Sequence, residues 1–334
     1  NNRKFHYLSQ TNNILITSVG KRVALTKYFK DVIIRFFPEA KVFTTDMCPR
    51  LAPAGYVSDG CFEVPRVTDL TYQKFLLKIC EDNNIGMIIA TIDTELVVLA
   101  NLKKEFLKKG IHVIVSDLPF VRICRDKRST NVFFDNIGIK TPKTIDKNNP
   151  EFPLFVKPYD GSLSFNVHHI KRKEELSQEI LNDPKLLFME YIDRTEFKEY
   201  TVDMYFGRDN CVKCIVPRER IEIRAGEINK GMTEKNEILY LLKEKMGYIE
   251  GCIGCICVQL FFNPKTKDVF GIEINPRFGG GYPLTYMCGG NFPELLIREY
   301  FFGESIEYFD NWEENLLMLR YDDAIYVNRK THIQ

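Results

Sequence analysis

The chain has 334 residues, 45% of them hydrophobic and 27% charged, with a formal net charge of +1; this is the composition of a globular protein long enough for two or three domains. So even a balance gives no bulk electrostatic case for nucleic acid or an anionic membrane as a partner. No apolar run approaches the ~18 residues of a membrane span.

The start, Asn1-Asn2-Arg3-Lys4, has neither a Met nor an apolar signal core and reads as a trimmed end. Residues 13–117 then alternate strand and helix. A short apolar strand over 13–18 leads into the turn Val19-Gly20-Lys21-Arg22, and a helix is predicted over 23–37. A strand over 41–45 ends at Asp46. A helix over 69–83 carries Leu70, Phe75, Leu76 and Ile79 as its apolar positions, and 86–90, 95–109 and 112–115 read as strand, helix and strand. Such a βαβ series predicts a parallel sheet with ligands near the carboxyl ends of its strands, where Gly20, Arg22, Asp46, Asp93, Thr94 and Glu95 fall. The first turn holds one glycine rather than GxGxxG, which argues against a dinucleotide.

Residues 119–137 read as one helix closed by Gly138, followed by a linker through 153. A strand over 153–158 ends in Lys157-Pro158. The loop 159–164, with Gly161 and Ser162, suits backbone N–H groups facing phosphate, and 165–170 is its return strand. A plain hairpin turn is the competing reading, since the Walker spacing GxxxxGK[ST] is absent. A helix is predicted over 173–182, and a buried strand over 186–192 whose end offers backbone groups to an adenine edge. Glu199, Thr201 and Asp203 share one face of the next strand. Residues 216–224 place Arg218, Arg220 and Arg224 on one face, suited either to an anionic substrate or to a charged outer strand balanced by Glu219 and Glu222. The Gly-containing stretch 225–233 reads as a loop and a candidate lid, 234–246 as a helix, 292–302 as another, and the tail from Trp312 as strand-like.

The most informative stretch is 252–277. Residues 255–262 and 269–275 read as strands joined by turn chemistry at 263–268. Folding this hairpin about Thr266 sets Gln259 opposite Glu273, with Glu273 and Asn275 on one face and Ile272 and Ile274 on the other. A carboxylate between covered faces needs a partner, and a hard cation with oxygen ligands would be one. An ordinary hairpin with a polar edge is the alternative. Of ten cysteines, Cys252, Cys255 and Cys257 sit in this apolar sequence, and Cys211 with Cys214 form a CxxC. No Cys or His completes zinc spacing, so reduced, buried thiols are expected, which favours a cytoplasmic location.

These pieces stand in an order that resembles the ATP-grasp superfamily, and within it single-unit proteins similar to one synthetase half of the carbamoyl-phosphate synthase large subunit. The stretches carrying the resemblance are Lys127 in CRDKRST, Lys157 in FVKPYDGS, Glu190-Tyr191-Ile192, Glu199 in KEYTVD, Gln259 in CVQLFF and Glu273-Ile274-Asn275-Pro276-Arg277, across about residues 13–305. The resemblance implies a mixed α/β and α+β architecture: an ATP-grasp fold with an N-terminal parallel-sheet, Rossmann-like, pre-ATP-grasp domain. Its expected parts are 1–117, a central and lid subdomain over 118–195, a subdomain with the metal hairpin over 196–310, and a tail over 311–334.

The same resemblance implies that Lys127, Lys157, Gly161 and Ser162 hold the phosphates of ATP, that Glu190, Tyr191 and Ile192 meet the adenine, and that Glu199 meets the ribose. Gln259, Glu273 and Asn275 would hold Mg²⁺, with Mn²⁺ as an alternative; the first of these positions is often acidic in the family, though glutamine also occurs there in the carbamoyl-phosphate group. Arg277, with Lys157 and Asn275, would stabilise an acyl phosphate. Substrate contacts are expected among Gly20, Arg22, Asp93, Glu95, Arg218, Arg220 and Arg224. The implied activity is that of an ADP-forming carboxylate–amine ligase acting on small molecules, with neither nucleic acid nor membrane as partner and a homodimer left open. One unit leaves no room for a glutamine-using or allosteric domain, so carbamoyl-phosphate synthase itself is not expected. Nor is biotin carboxylase, for want of its extra carboxyl-terminal region. A different class, a non-catalytic ATP-binding sensor or scaffold of the same fold, remains the alternative.

Overall fold

The computed structural model describes residues 12–160 and 166–328. Two compact units divide the chain: one of Asn1–Val115, Asn291–Ile306 and Arg320–Gln334, the other of Ser116–Gly290 and Glu307–Leu319.

The first unit is built on a parallel sheet of β1 (Asn13–Ile16), β2 (Val42–Asp46), β3 (Cys61–Glu63), β4 (Ile85–Ile89) and β5 (His112–Ile114), in the order β3-β2-β1-β4-β5. The central strands are buried on both faces, Ile14, Leu15 and Ile16 being 0% exposed, as covered parallel strands require. The βαβ reading therefore holds, with two elements it did not contain: β3 and the short helix Pro53–Val57. The expected helix over 69–83 runs only Tyr72–Asp82. Leu70 lies ahead of it and is fully exposed, while Leu76 and Ile79 are buried.

The second unit holds two antiparallel sheets. Three strands, β6 (Leu154–Pro158), β7 (His168–Ile170) and β8 (Leu186–Glu190), pair in the order β7-β6-β8. The larger sheet runs β13-β12-β9-β10-β11-β14, with β9 Lys198–Phe206, β10 Val212–Arg224, β11 Glu227–Thr233, β12 Gly254–Phe262, β13 Val269–Asn275 and β14 Leu317–Leu319. The switch from parallel to antiparallel layers follows the expectation of an α/β part joined to an α+β part.

Three expectations fail for local reasons. The helix expected over 119–137 is two helices, Leu118–Arg125 and Lys127–Asn136. Asp126 leaves helical geometry (φ −113°, ψ 113°), and its carboxylate accepts the Arg128 N–H, so it caps the second helix rather than continuing the first. Lys127 thereby becomes a first-turn residue. Gly138, at φ +76°, stops that helix as expected. The helix over 173–182 is a turn at Lys173–Glu175 and a five-residue helix, Gln178–Asn182, capped by Ser177. The stretch 225–233 is a strand rather than a lid loop. Ala225 (φ +50°) and Gly226 (φ +79°) make a two-residue turn, and β11 returns along β10 with Ile228 and Thr233 buried. No helix among the described residues is long and apolar enough to cross a membrane.

Candidate functional site

The hairpin of β12 and β13 folds as its turn chemistry predicts. Asn263 accepts the N–H groups of Lys265 and Thr266, and Gln259 pairs across to Glu273. Sequence alternation misses one feature. Gln259 faces Glu273 but Leu260 faces Gly271, so Ile272 is an extra residue, a β-bulge. Ile272 and Glu273 are consecutive half-buried positions while Gly271 and Ile274 are buried. The bulge turns Ile272 to the side of Glu273 instead of the opposite face expected from strict alternation.

The side chains of that face form a continuous polar chain. Glu273 Oε1 accepts from Asn275 Nδ2 at 3.0 Å, and its Oε2 lies 3.8 Å from Lys127 Nζ. With the Gln259 amide oriented to suit both neighbours, its nitrogen donates to Glu273 Oε1 at 2.7 Å and its oxygen accepts from Arg220 Nη1 at 2.5 Å. Arg220 Nη1 also lies 3.2 Å from Glu199 Oε1, and Arg194 Nη1 lies 3.7 Å from Glu199 Oε2. The sheet register explains the assembly. Gln259 pairs with Thr201 as well as with Glu273, and Thr201 pairs with Arg218, so one row crosses four strands.

Two lysines reach the same place from the smaller sheet and its neighbouring helix. The Lys127 N–H donates to the Tyr159 carbonyl, tying the helix start to the end of β6. Lys157 is buried at 7% exposure. Burial drives its ammonium down from 10.5 to about 8; the Glu273 charge opposes that shift and the Lys127 charge adds to it. A depressed lysine gives a definite sign. The folded state gives up the proton near pH 8 and the unfolded state near pH 10.5, so stability rises across that window. We expect a gain of roughly 3 kcal/mol between pH 8 and 10.5. It should be read as the difference between native protein and Lys157→Met in chemical denaturation, and parallel pH profiles for the two would contradict it.

Beside Lys157 lies an open cleft of about 370 Å³. Phe155, Met189, Phe261 and the bulged Ile272 supply apolar walls, and Glu190, Tyr191 and Ile192 line one side. The strand β8 stops at Glu190, leaving Tyr191 and Ile192 beyond its last ladder position. Glu190 is committed to Lys143: its N–H donates to the Lys143 carbonyl, and its carboxylate accepts the Lys143 N–H at 2.8 Å. The Tyr191 ring stacks on His169 with centroids 4.0 Å apart. Arg194, which also lines the cleft, carries no signal in sequence, because its place depends on the turn at Asp193, whose carboxylate accepts the Thr195 N–H.

The remaining candidates are distributed differently. Arg218 is 1% exposed; its Nε donates at 2.9 Å to Asp203, itself 0% exposed. The three arginines of β10 therefore do not act alike: Arg218 is locked in a buried pair, Arg220 joins Glu199 and Gln259, and Arg224 lies past a register shift at the exposed strand end. Arg277 follows β13, its N–H donating to the Asn275 carbonyl and its Nη1 to the Phe278 carbonyl. Gly161 and Ser162 lie outside the described residues. Gly20, Arg22, Asp93 and Glu95 all belong to the first unit. There Gly20, at φ +46°, donates its N–H to Asp46, and Arg22 donates to the Thr91 carbonyl. Glu95 is enclosed, its carboxylate accepting from Thr17, Ser18 and Tyr72, and burial pushes it upward.

Asp203, Cys255 and Cys257 come close enough together for a cation, but the aspartate is already engaged. Its Oδ1 accepts from Cys257 Sγ, and its Oδ2 from Arg218 and from Thr285. Burial raises the Cys255 thiol well above its ordinary value, so it keeps its proton. All ten cysteines are free. The oxygen donors Glu273 and Asn275 fit a hard cation far better than this thiol cluster does.

Two family profiles match the chain: the PylC-like N-terminal domain over residues 14–114, and the ATP-grasp described from a biosynthetic pathway with the Ter operon over 182–322. Lys127 and Lys157 lie between the two matched spans. A carbamoyl-phosphate synthase of Methanobrevibacter smithii is 23% identical over 252 residues, which are 70% of this chain and 67% of that protein. A 3-methyl-D-ornithine–L-lysine ligase of Methanosarcina acetivorans is 29% identical over 217 residues, 63% of this chain. The chain spans about two thirds of the first relative and about half, 53%, of the second. Among solved structures, the biotin carboxylase domain of Hydrogenobacter thermophilus 2-oxoglutarate carboxylase, in complex with MgADP, ADP and bicarbonate, superposes with a TM-score of 0.70 at 14% identity. It covers 92% of this chain and 73% of that one. The chain thus matches the ATP-grasp profile over residues 182–322 and resembles a synthetase half of carbamoyl-phosphate synthase.

Proposed function

We propose that this chain is an ADP-forming ligase that uses ATP to phosphorylate a carboxylate and passes the acyl group to an amine. One observation carries the reading: Lys127, Lys157, Glu273 and Asn275 meet beside a cleft lined by Glu190, Tyr191 and Ile192. In this assignment the adenine lies against Tyr191 and Ile192 among the apolar walls, and Glu199 accepts from the ribose hydroxyls. Lys127 and Lys157 take the phosphates, and arrival of that negative charge restores the proton that burial makes Lys157 easy to lose. Glu273 and Asn275, beside Gln259, are the residues that would hold Mg²⁺. The ion, when bound, would neutralise charge developing on the transferred phosphoryl group.

The remaining work is positioning. A carboxylate oxygen attacks the terminal phosphorus in line and ADP leaves; the amine then displaces phosphate from the acyl phosphate. Arg277 sits at the end of β13, where its guanidinium would face the acyl phosphate oxygens. No activated Ser, Cys or His is required by this chemistry. The ligase named among the relatives joins two amino acids, which makes amino-acid-like acids and amines the first pairs to try.

The test is trapping. With ATP, Mg²⁺ and a panel of small carboxylates but no amine, hydroxylamine should yield a hydroxamate from at least one acid, with one ADP per hydroxamate. Tight nucleotide binding with no hydroxamate and no acid-stimulated ADP from any panel member would instead favour a nucleotide-binding protein without ligase activity.

A further inference from the structure

Arg277 is followed by a segment with few side chains to anchor it. After Phe278 come Gly279, Gly280 and Gly281, then the six-residue helix Tyr282–Met287. What fixes this segment lies beneath it. A Cβ at Gly279 would stand 2.7 Å from Cys257 Sγ, and one at Gly281 would stand 2.2 Å from Arg218 Nη1. The glycine backbone therefore rests directly on Cys257 and Arg218, an approach that only glycine permits. Asp203 ties these pieces together. It accepts from Arg218 Nε at 2.9 Å, from Cys257 Sγ at 3.0 Å, and from Thr285 in the helix after the glycines. Cys257 Sγ also lies 3.5 Å from the Arg277 carbonyl. Buried charge thus touches the segment before, within and after the glycine run.

As a source of stability the cluster is poor. Arg218 Nη1 is buried with no hydrogen-bond partner among the described residues, and an incompletely satisfied buried pair recovers little beyond its own desolvation cost. Resting on the ligase reading above, we propose that Asp203 and Arg218 are positioning residues. They set the backbone from which Arg277 reaches the acyl phosphate, with Cys257 as the link, and so act on rate rather than on nucleotide binding. The glycines follow from the same arrangement, because a side chain at 279 or 281 would lift the segment off Cys257 and Arg218. The two charges cancel, so removing both leaves the net charge of the region unchanged and isolates position from field. Misplacement by about 1 Å of a group that aligns reacting atoms costs about 10²-fold in rate.

The test splits kcat from KM. ADP formation is followed with ATP varied, at fixed Mg²⁺, hydroxylamine and the pooled small carboxylates of the trapping experiment, for the native chain and for Asp203→Leu with Arg218→Met. The folded double variant should show kcat lower by about 10²-fold and a KM for ATP within about twofold of native. A native kcat in the folded double variant overturns the inference and leaves the ligase reading standing. A rise in KM as large as the fall in kcat would mean general damage to the cleft and overturns it too. No acid-stimulated ADP from the native chain overturns the ligase reading and the inference together. If the double variant does not fold, Cys257→Ala and Cys257→Ser decide. The alanine should lower kcat about tenfold, a fraction of the full displacement, and the serine, whose hydroxyl keeps the link to Asp203, should restore it. A native rate for Cys257→Ala, or no recovery in Cys257→Ser, overturns the inference.

Discussion

Glu273→Gln should lower acid-stimulated ADP formation by at least about 10³-fold, because a metal ion supplies several kcal/mol of charge stabilisation in phosphoryl transfer. The same substitution should leave the fold nearly untouched. Glu273 is a quarter exposed, and its lysine partner stands at 3.8 Å, so lost pairing should cost no more than about 1 kcal/mol. A glutamine can also still accept from Asn275. The informative result is the pair of measurements: a melting curve close to native beside turnover at background, with Mn²⁺ retention lost. A Glu273→Gln protein with native turnover would remove the metal role from this hairpin.

Asp203→Asn should produce the opposite pattern, a large loss of stability. The substitution leaves the Arg218 guanidinium in the interior without its counter-charge, and breaking a buried pair from one side costs about 3–5 kcal/mol. Asp203 also accepts from Thr285 and Cys257, and Cys257 Sγ approaches the Arg277 carbonyl at 3.5 Å. The pair therefore lies under the segment that carries Arg277. Replacing both partners, Asp203→Leu with Arg218→Met, should recover most of the stability, since apolar residues of similar volume often match a buried ion pair. Denaturant unfolding of the three proteins measures this. Equal midpoints for Asp203→Asn and native protein would show that the pair contributes nothing.

The contrast between these residues marks what the sequence made legible. The register at Gln259 and Glu273 was readable because turn chemistry centred on Thr266 sets the pairing, and strand period does the rest. Gly138 stopped its helix for an equally local reason. The bulge at Ile272 was not readable, since nothing local distinguishes an extra residue from regular alternation in an apolar run. The break at Asp126 was hidden because a capping aspartate between two helical patterns reads as a polar position within one. The strand Glu227–Thr233 reads as a loop from Gly226, Gly231 and its polar residues, yet its burial comes from pairing with β10. The separation of Arg218 from Arg220 depends on Asp203 and Glu199 at neighbouring ladder positions of another strand. Long-range pairing of that kind leaves no trace in spacing.

The central claim, acyl phosphate chemistry on ATP at the cleft beside Lys157, is tested most directly by the products of ATP cleavage. Phosphorus NMR of the protein with ATP, Mg²⁺ and mixed carboxylates and amines should show ADP and inorganic phosphate accumulating in equal amounts, and only when an acid substrate is present. Accumulation of AMP and pyrophosphate would mean that the carboxylate attacks the α-phosphorus, and would contradict the account.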